Sequence, residues 1–380
     1  MKLTLDPGAA ALLDALHAAG YAAYAVGGCV RDSLLGRTAH DWDLCTSALP
    51  QQVMELFGTE QCIPTGLQHG TVTIKYGGQL YETTTFRTEG SYTDGRHPDE
   101  VQFVPDVRED LARRDFTINA MAMTPEGVLI DPFNGKKDLT DRILRHVGPA
   151  FCEDPVRILR LARFAARFAD FTVAPETATL LKTMVATGEA DHLVSERVWA
   201  EVSRGLMEEA PSRMIRILKD CGFLSRVESP VTESLLSALD YAATENAPLT
   251  VRASIAFSGL AQDQVARFCR HHRFPSDVTD AVTLFVKYKD AARTAQSAEE
   301  YLNLLNALDV LRRPERLEHF LQALGYTNPD FNQRILKALR AAYLSVDVAL
   351  LLKSPSEKPA TVRIRNARLS AIKEALKCPI

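Results

Sequence analysis

No stretch of the 380-residue chain approaches the roughly 18 consecutive apolar residues that a bilayer-spanning helix needs. Cysteine is scarce and unorganised: seven in all, an odd number, with no Cys-x-x-Cys pair and no Cys/His spacing of a zinc site. That argues against a disulfide framework and makes a reducing cytoplasm the expected compartment. Met1–Gly20 carries Asp6 and Asp14 and reads as a short helix rather than a signal peptide. There is no internal repeat, no low-complexity tract and no evident protein-partner segment. Positive charge is not in excess either. A net charge of −4 recommends the chain poorly as a nucleic-acid binder, although phosphate binding needs a local basic surface rather than a basic average.

What is present is the composition of a globular protein, 46% hydrophobic and 24% charged, in a chain long enough for two or three domains. Short β-branched runs at Tyr21–Val26, Thr71–Tyr76, Leu80–Phe86 and Val101–Val104 read as strands. After Phe151 amphipathic helices take over, at about 155–169, 175–186, 196–208, 211–220, 232–244, 261–272, 276–292, 298–311, 313–325 and 329–344. Joints marked by Pro or small polar residues fall at Val147–Pro155, Ser225–Thr232 and Lys353–Ala360. The expected class is α+β, a mixed-sheet head followed by an all-helical remainder. One locally basic segment stands out near the end: Lys358, Arg363, Arg365, Arg368, Lys373 and Lys377 against Glu374. It reads either as a solvated terminal helix or as a nucleic-acid contact.

Four constellations carry chemistry. In Tyr24–Gly36 a strand runs into Gly27-Gly28 and then a helix start, where backbone N–H groups can approach a phosphate and Arg31 offers a fork of donors. On its own this is compatible with an ordinary tight turn. His40-Asp41-Trp42-Asp43-Leu44 alternates like a strand, so Asp41 and Asp43 share one face while Trp42 and Leu44 share the other. Two such carboxylates repel unless a cation lies between them, and Mg²⁺ suits a site of few carboxylates completed by phosphates and water. In Arg113-Arg114-Asp115-Phe116-Thr117-Ile118-Asn119, Arg114 reads as a triphosphate contact and Asp115 as a further carboxylate, an N-cap, or both. Asp154-Pro155 opens a helix whose Arg157, Arg160, Arg163 and Arg167 form one stripe with no Glu at i,i+4 spacing, so an anionic partner is expected for them.

Taken in order, Gly27-Gly28-x-Val30-Arg31-Asp32, Asp41-x-Asp43, Arg113-Arg114-Asp115, Asp131-Pro-Phe-Asn-Gly135-x-x-Asp138, Glu153-Asp154-x-x-Arg157 and Glu196-Arg197-x-x-x-Glu201 resemble the motif set of the class II CCA-adding enzymes. These tRNA nucleotidyltransferases share their class with bacterial poly(A) polymerases, within the DNA polymerase β superfamily. The resemblance covers about residues 15–210. It implies a catalytic head (1–145), a helical neck for base recognition (146–210), a helical body (211–310) and a helical, RNA-binding tail (311–380).

It further implies Mg²⁺ at Asp41 and Asp43, and Asp115 as a third acid. Nucleotide contacts would come from Gly28, Arg31, Arg114, Arg160 and Arg163, and base reading from Asp154 with Arg157. A carboxylate beside a guanidinium accepts from the exocyclic amine and donates to the ring nitrogen of cytosine or adenine. Uracil and guanine present the reverse pattern. The implied reaction is addition of C, C and A to the tRNA 3′ end from CTP and ATP, with pyrophosphate released by in-line attack.

Residues 86–98 resemble the flexible loop that such enzymes need for the final A. Arg363, Arg365 and Arg368 are the candidate grip on the acceptor minihelix. Val251–Leu260 and Val286–Asp290 stand where some relatives carry a His-Asp phosphohydrolase, yet lack its ligands, so the body reads as a scaffold; His271-His272 alone makes no metal site. An A-adding enzyme or a poly(A) polymerase is the alternative. A catalytically inactive RNA-binding relative is disfavoured by the retention of Asp41, Asp43 and Asp115.

Overall fold

The computed structural model describes residues 4–89, 101–226, 231–353 and 355–377. Two compact units divide the chain: Met1–Val194 with Ile217–Phe223, and Ser195–Arg216 with Leu224–Ile380. The division at Val194 falls inside the range that the resemblance gives to a neck.

The first unit opens with α1 (Pro7–Ala18), started by an Asp-Pro pair: the Asp6 carboxylate accepts from Ala9 N at 3.0 Å and from the Tyr81 hydroxyl at 2.5 Å. There follow β1 (Ala23–Val26), α2 (Gly28–Leu34), β2 (Leu44–Thr46), α3 (Pro50–Phe57), β3 (Cys62–Gly66), β4 (Thr71–Tyr76) and β5 (Gln79–Thr85). Next are β6 (Arg87–Glu89), β7 (Val101–Phe103), α4 (Val107–Ala112), β8 (Ala122–Met123), β9 (Leu129–Ile130), α5 (Gly135–Asp141), β10 (Ile143–Leu144), α6 (Val156–Arg167), β11 (Thr172–Val173) and α7 (Pro175–Ala186).

Seven strands form one sheet in the order β3-β4-β5-β2-β1-β8-β9, antiparallel except where β2 lies beside β5. Gly77 and Gly78 close the β4–β5 hairpin with φ of 58° and 81°, the pair of positive values that a two-residue turn needs to match strand twist. Beside the sheet, Val26, Cys45, Phe86, Leu111, Ala120 and Ala122 pack into one apolar cluster. Cys29, Cys45, Cys62, Cys152, Cys221 and Cys269 are all free thiols.

The second unit contains α8 (Ser195–Met207) and the start of α9 (Pro211–Asp220), then α10 (Glu233–Thr244), α11 (Leu249–Ala256), α12 (Val265–His271), α13 (Ser276–Thr294), α14 (Ala298–Ala307), α15 (Pro314–Thr327), α16 (Gln333–Leu344), α17 (Val348–Lys353) and α18 (Ala360–Ala375). Arg252 of α11 is its internal tie. Buried, it donates to the carbonyls of Leu206, Glu208 and Ala247, which collect the carboxyl ends of α8 and α10. A cation among exposed helix-end carbonyls is the favourable sign of charge there.

The α+β reading therefore holds, with a mixed sheet in the N-terminal region and helices after it. Two departures are local. The two-residue β11 pairs in parallel with β10 inside the stretch read as all-helical. Residues 249–256 form α11, a helix absent from the spans read from the sequence, within the region expected to be a helical scaffold.

Candidate active site

β1 ends at Val26, and Gly27 turns the chain into α2 with φ 80° and ψ −124°. The backbone conformation there favours glycine. L-residues avoid that φ, and a Cβ on Gly27 would stand 2.9 Å from Nη1 of Arg114. The turn therefore lets the Arg114 guanidinium lie against the backbone. Arg114 also donates to Asp110 at 3.3 Å, an acid wholly buried beneath the site that also takes Arg113 at 2.8 Å.

Asp41 and Asp43 lie on the approach to β2. The strand itself begins at Leu44, later than the alternation implied, but Val26 N donates to the Asp43 carbonyl at 2.9 Å and carries the pairing back to that residue. The predicted facing holds: Trp42 and Leu44 are buried, while Asp41 and Asp43 are exposed. Although Asp43 reaches solvent, protein packed around its carboxyl is the largest influence on it. That crowding, with the negative charges of Glu82 and Asp41 and against the opposing pull of Arg114, pushes its pKa up to about 6.

Glu82 was not foreseen as a site residue. It arrives because β5 runs parallel to β2 with Thr83 opposite Leu44, which sets Glu82 level with Asp43. Its signal in the sequence was faint: one exposed acid in an otherwise Thr-rich strand.

A divalent cation is the group these acids imply. Among the described residues no three His, Cys, Asp or Glu side chains close around a metal by themselves. Two exposed carboxylates held on one face, with a third acid raising the pKa of one, fit a cation that takes its other ligands from phosphates and water. They do not fit a closed structural site.

Asp115 sits differently from the expectation of a third metal-side acid. Oδ1 accepts from Phe116 N at 2.8 Å and from Asn119 Nδ2 at 2.9 Å; Oδ2 accepts from Arg160 Nε at 2.9 Å and Nη2 at 2.6 Å. Burial alone would raise this acid, but Arg160 and the hydrogen bonds from Asn119 and Arg160 outweigh it and hold the pKa at about 2. The N-cap reading does not hold: the cap position of the short turn Thr117–Asn119 is Phe116, which makes no side-chain capping bond, and Asp115 stands one residue before it.

The arginine stripe of α6 is corrected. Its side chains are not a row awaiting an anion: Arg160 is bound to Asp115, Arg167 reaches Asp32 at 3.1 Å, and Arg157 donates to the carbonyls of Ala150 and Arg113 at 2.7 Å each. Arg163 lies over the ring of Phe164 at 4.9 Å. Glu is absent from the helix because partners arrive from other segments, and α6 is buried on nearly every side. Arg31, expected as a nucleotide contact, turns inward at 3% exposure and binds Asp32 and Asn119. The Asp154 carboxylate accepts from Val156 N, the first residue of α6, at 3.1 Å, although the cap position falls on Pro155, one residue later than read from the sequence.

In the second unit the tail arginines are also engaged. Arg363 donates to the Leu351 carbonyl, Arg365 pairs with Glu299 at 2.6 Å, and Arg368 binds the Tyr343 hydroxyl at 2.7 Å with its guanidinium 4.1 Å over that ring. Most of the loop read over residues 86–98 lies outside the described residues, which resume at Val101.

Residues 23–145 match the family described as "Poly A polymerase head domain" and residues 170–233 that described as "Probable RNA and SrmB- binding site of polymerase A". The chain is 37% identical to a Multifunctional CCA protein of Dechloromonas aromatica, over 94% of this chain and 98% of that one. It is likewise 37% identical to a CCA-adding enzyme of Bordetella pertussis, over 98% and 99%. Among solved structures, the Bacillus stearothermophilus CCA-adding enzyme in complex with CTP superposes with a TM-score of 0.69 at 27% identity, covering 97% and 94%. A Thermotoga maritima CCA-adding enzyme complexed with tRNA shares the fold, with a TM-score of 0.70 at 20% identity.

Proposed function

The chain belongs to the family of CCA-adding nucleotidyltransferases, and from that premise we infer that it adds C, C and A to the 3′ end of tRNA from CTP and ATP, releasing pyrophosphate. The observation that carries this reading is the pair of exposed acids, Asp41 and Asp43, beside the Gly27 turn and Arg114. Such a grouping suits a triphosphate held with a divalent cation.

Asp41 and Asp43 would hold Mg²⁺, with Glu82 the nearby acid that raises Asp43. When bound, the cation offsets charge on the triphosphate and acidifies the attacking hydroxyl. The protein's own part is positioning. Backbone at Gly27-Gly28 admits phosphate closely, Arg114 faces it, and Arg160 and Arg163 add positive charge from α6. Asp115 enters through Arg160, whose guanidinium it fixes. Asp154 and Arg157 at the start of α6 read the base. Arg157 is held by two carbonyls rather than by a carboxylate, which orients its planar fork while leaving the charge unneutralised.

Incubation with tRNA lacking its 3′ CCA and each nucleotide in turn tests the reading. CTP alone should extend by two residues, ATP alone should not extend, and both together should stop at three. Long A tracts on single strands would replace this reading with a poly(A) polymerase. Asp41→Ala and Asp43→Ala should each abolish incorporation in a folded protein. Residual activity within about tenfold of wild type would remove the metal assignment.

A further inference from the structure

Six side chains of the first unit close into a ring that begins and ends on α6. Arg160 donates to Asp115, which accepts from Asn119 Nδ2 at 2.9 Å; Asn119 Oδ1 accepts from Arg31 Nη1 at 2.5 Å. Arg31 then clasps Asp32 at 2.9 and 3.0 Å, and Asp32 Oδ2 accepts from Arg167 at 3.1 Å. Arg31 also lies over two rings of the same helix, 5.3 Å from Phe164 and 5.4 Å from Phe168. Three of the members, Arg31, Asp115 and Asn119, are buried, whereas the side chains of Arg160 and Arg167 keep about a third of their surface exposed.

Asn119 is the member that joins the two halves of the ring. It accepts from a cation at one end and donates to a carboxylate at the other, which an amide does from two separate atoms on a short side chain. An aspartate there would set two carboxylates against each other, and an apolar side chain would leave Arg31 and Asp115 without a shared partner. Arg160 and Arg167, at the two ends of the ring, are both partly exposed, so an anion can approach a guanidinium that the ring already holds. A guanidinium already fixed by its neighbours has less freedom to lose when that anion binds.

We propose that Asn119 is a positioning residue for the triphosphate: through Asp115 it fixes Arg160, and through Arg31 and Asp32 it locks that arrangement to Arg167 seven residues further along α6. The proposal rests on the nucleotidyltransferase reading and sharpens it. Arg157 is outside the ring, anchored to carbonyls, so phosphate holding and base reading have separate supports.

The test is equilibrium binding of CTP, ATP, UTP and inorganic tripolyphosphate to the full-length protein, with near-ultraviolet circular dichroism as the control for folding. Asn119→Asp should weaken CTP, ATP and tripolyphosphate by one common factor of about tenfold or more, leaving the CTP-to-UTP ratio unchanged. Arg167→Gln, at the exposed end of the ring, should give a smaller loss of the same pattern, partly restored in Arg167→Lys. It decides the matter should Asn119→Asp not fold. Wild-type binding in folded variants would overturn the proposal, as would a changed CTP-to-UTP ratio with tripolyphosphate binding intact. Failure of the wild-type protein to bind CTP would instead overturn the nucleotidyltransferase reading itself.

Discussion

At Arg157 the reading of a base comes down to one guanidinium and what holds it. Donors aimed at the wrong pattern leave buried groups unpaired, so each correct contact is worth about 1–3 kcal/mol of discrimination. Arg157→Ala should therefore lower the preference for CTP and ATP over UTP and GTP by about ten- to a hundredfold, with a smaller effect on triphosphate affinity. Full retention of preference in single-nucleotide incorporation would reduce Arg157 to a packing residue. Asp115 supplies a second test. Its pKa is held at about 2, below that of an unfolded aspartate, so its pairing stabilises the fold above about pH 4 and is lost as pH falls through the folded value. Asp115→Asn should flatten the acid limb of stability between about pH 4 and 2, by on the order of 2 kcal/mol, in urea melts taken across that range. An unchanged acid limb would deny that the Arg160 pairing operates in solution. The common exposure of Asp41 and Asp43, opposite buried Trp42 and Leu44, was legible in the sequence because strand alternation is local. Glu82 was not, since only the parallel pairing of β2 with β5 brings it alongside Asp43.

Helix α6 shows the same limit one level up. Its extent was readable from periodicity, as was α7, predicted and found at 175–186. The fate of its arginines was not, because Asp115 and Asp32 lie far away in sequence and no i,i+4 rule reaches them. The tail helix α18 repeats the lesson and yields a prediction. Arg368 is stacked and hydrogen-bonded on Tyr343 of α16, which makes it a joint, whereas Arg365 pairs with Glu299 on the surface. Exposed pairs of that kind are worth about 0–1 kcal/mol, so Arg365 can exchange its carboxylate for a phosphate at little cost. Arg365→Gln should weaken tRNA binding and lower its salt-dependence slope by up to about 0.9 with the melting temperature unchanged. Arg368→Met should do the reverse, lowering the melting temperature while leaving the slope alone. A slope unaffected by Arg365→Gln would assign α18 to tail packing only.

Across the whole chain, every residue proposed to bind nucleotide or metal falls within Met1–Val194, while the arginines proposed to grip RNA fall in the other unit. Each unit has its own core, with Leu12, Phe86 and Phe116 fully buried in the first and Leu239, Phe285 and Leu305 in the second. Opening free energies can therefore differ between them, and a ligand that binds the native form of one stabilises that one first. A ligand at about a hundred times its Kd adds about 2.7 kcal/mol to the unit that holds it. Hydrogen exchange with saturating CTP and Mg²⁺ should accordingly slow amides of β1, β2, α4 and α6, leaving those of α13 to α16 at their free rates. A tRNA lacking its 3′ CCA, added without nucleotide, should protect α18. Equal protection of both units by CTP alone would mean that they open as one cooperative body. The division of labour between a nucleotide-holding unit and an RNA-gripping one would then have to be abandoned.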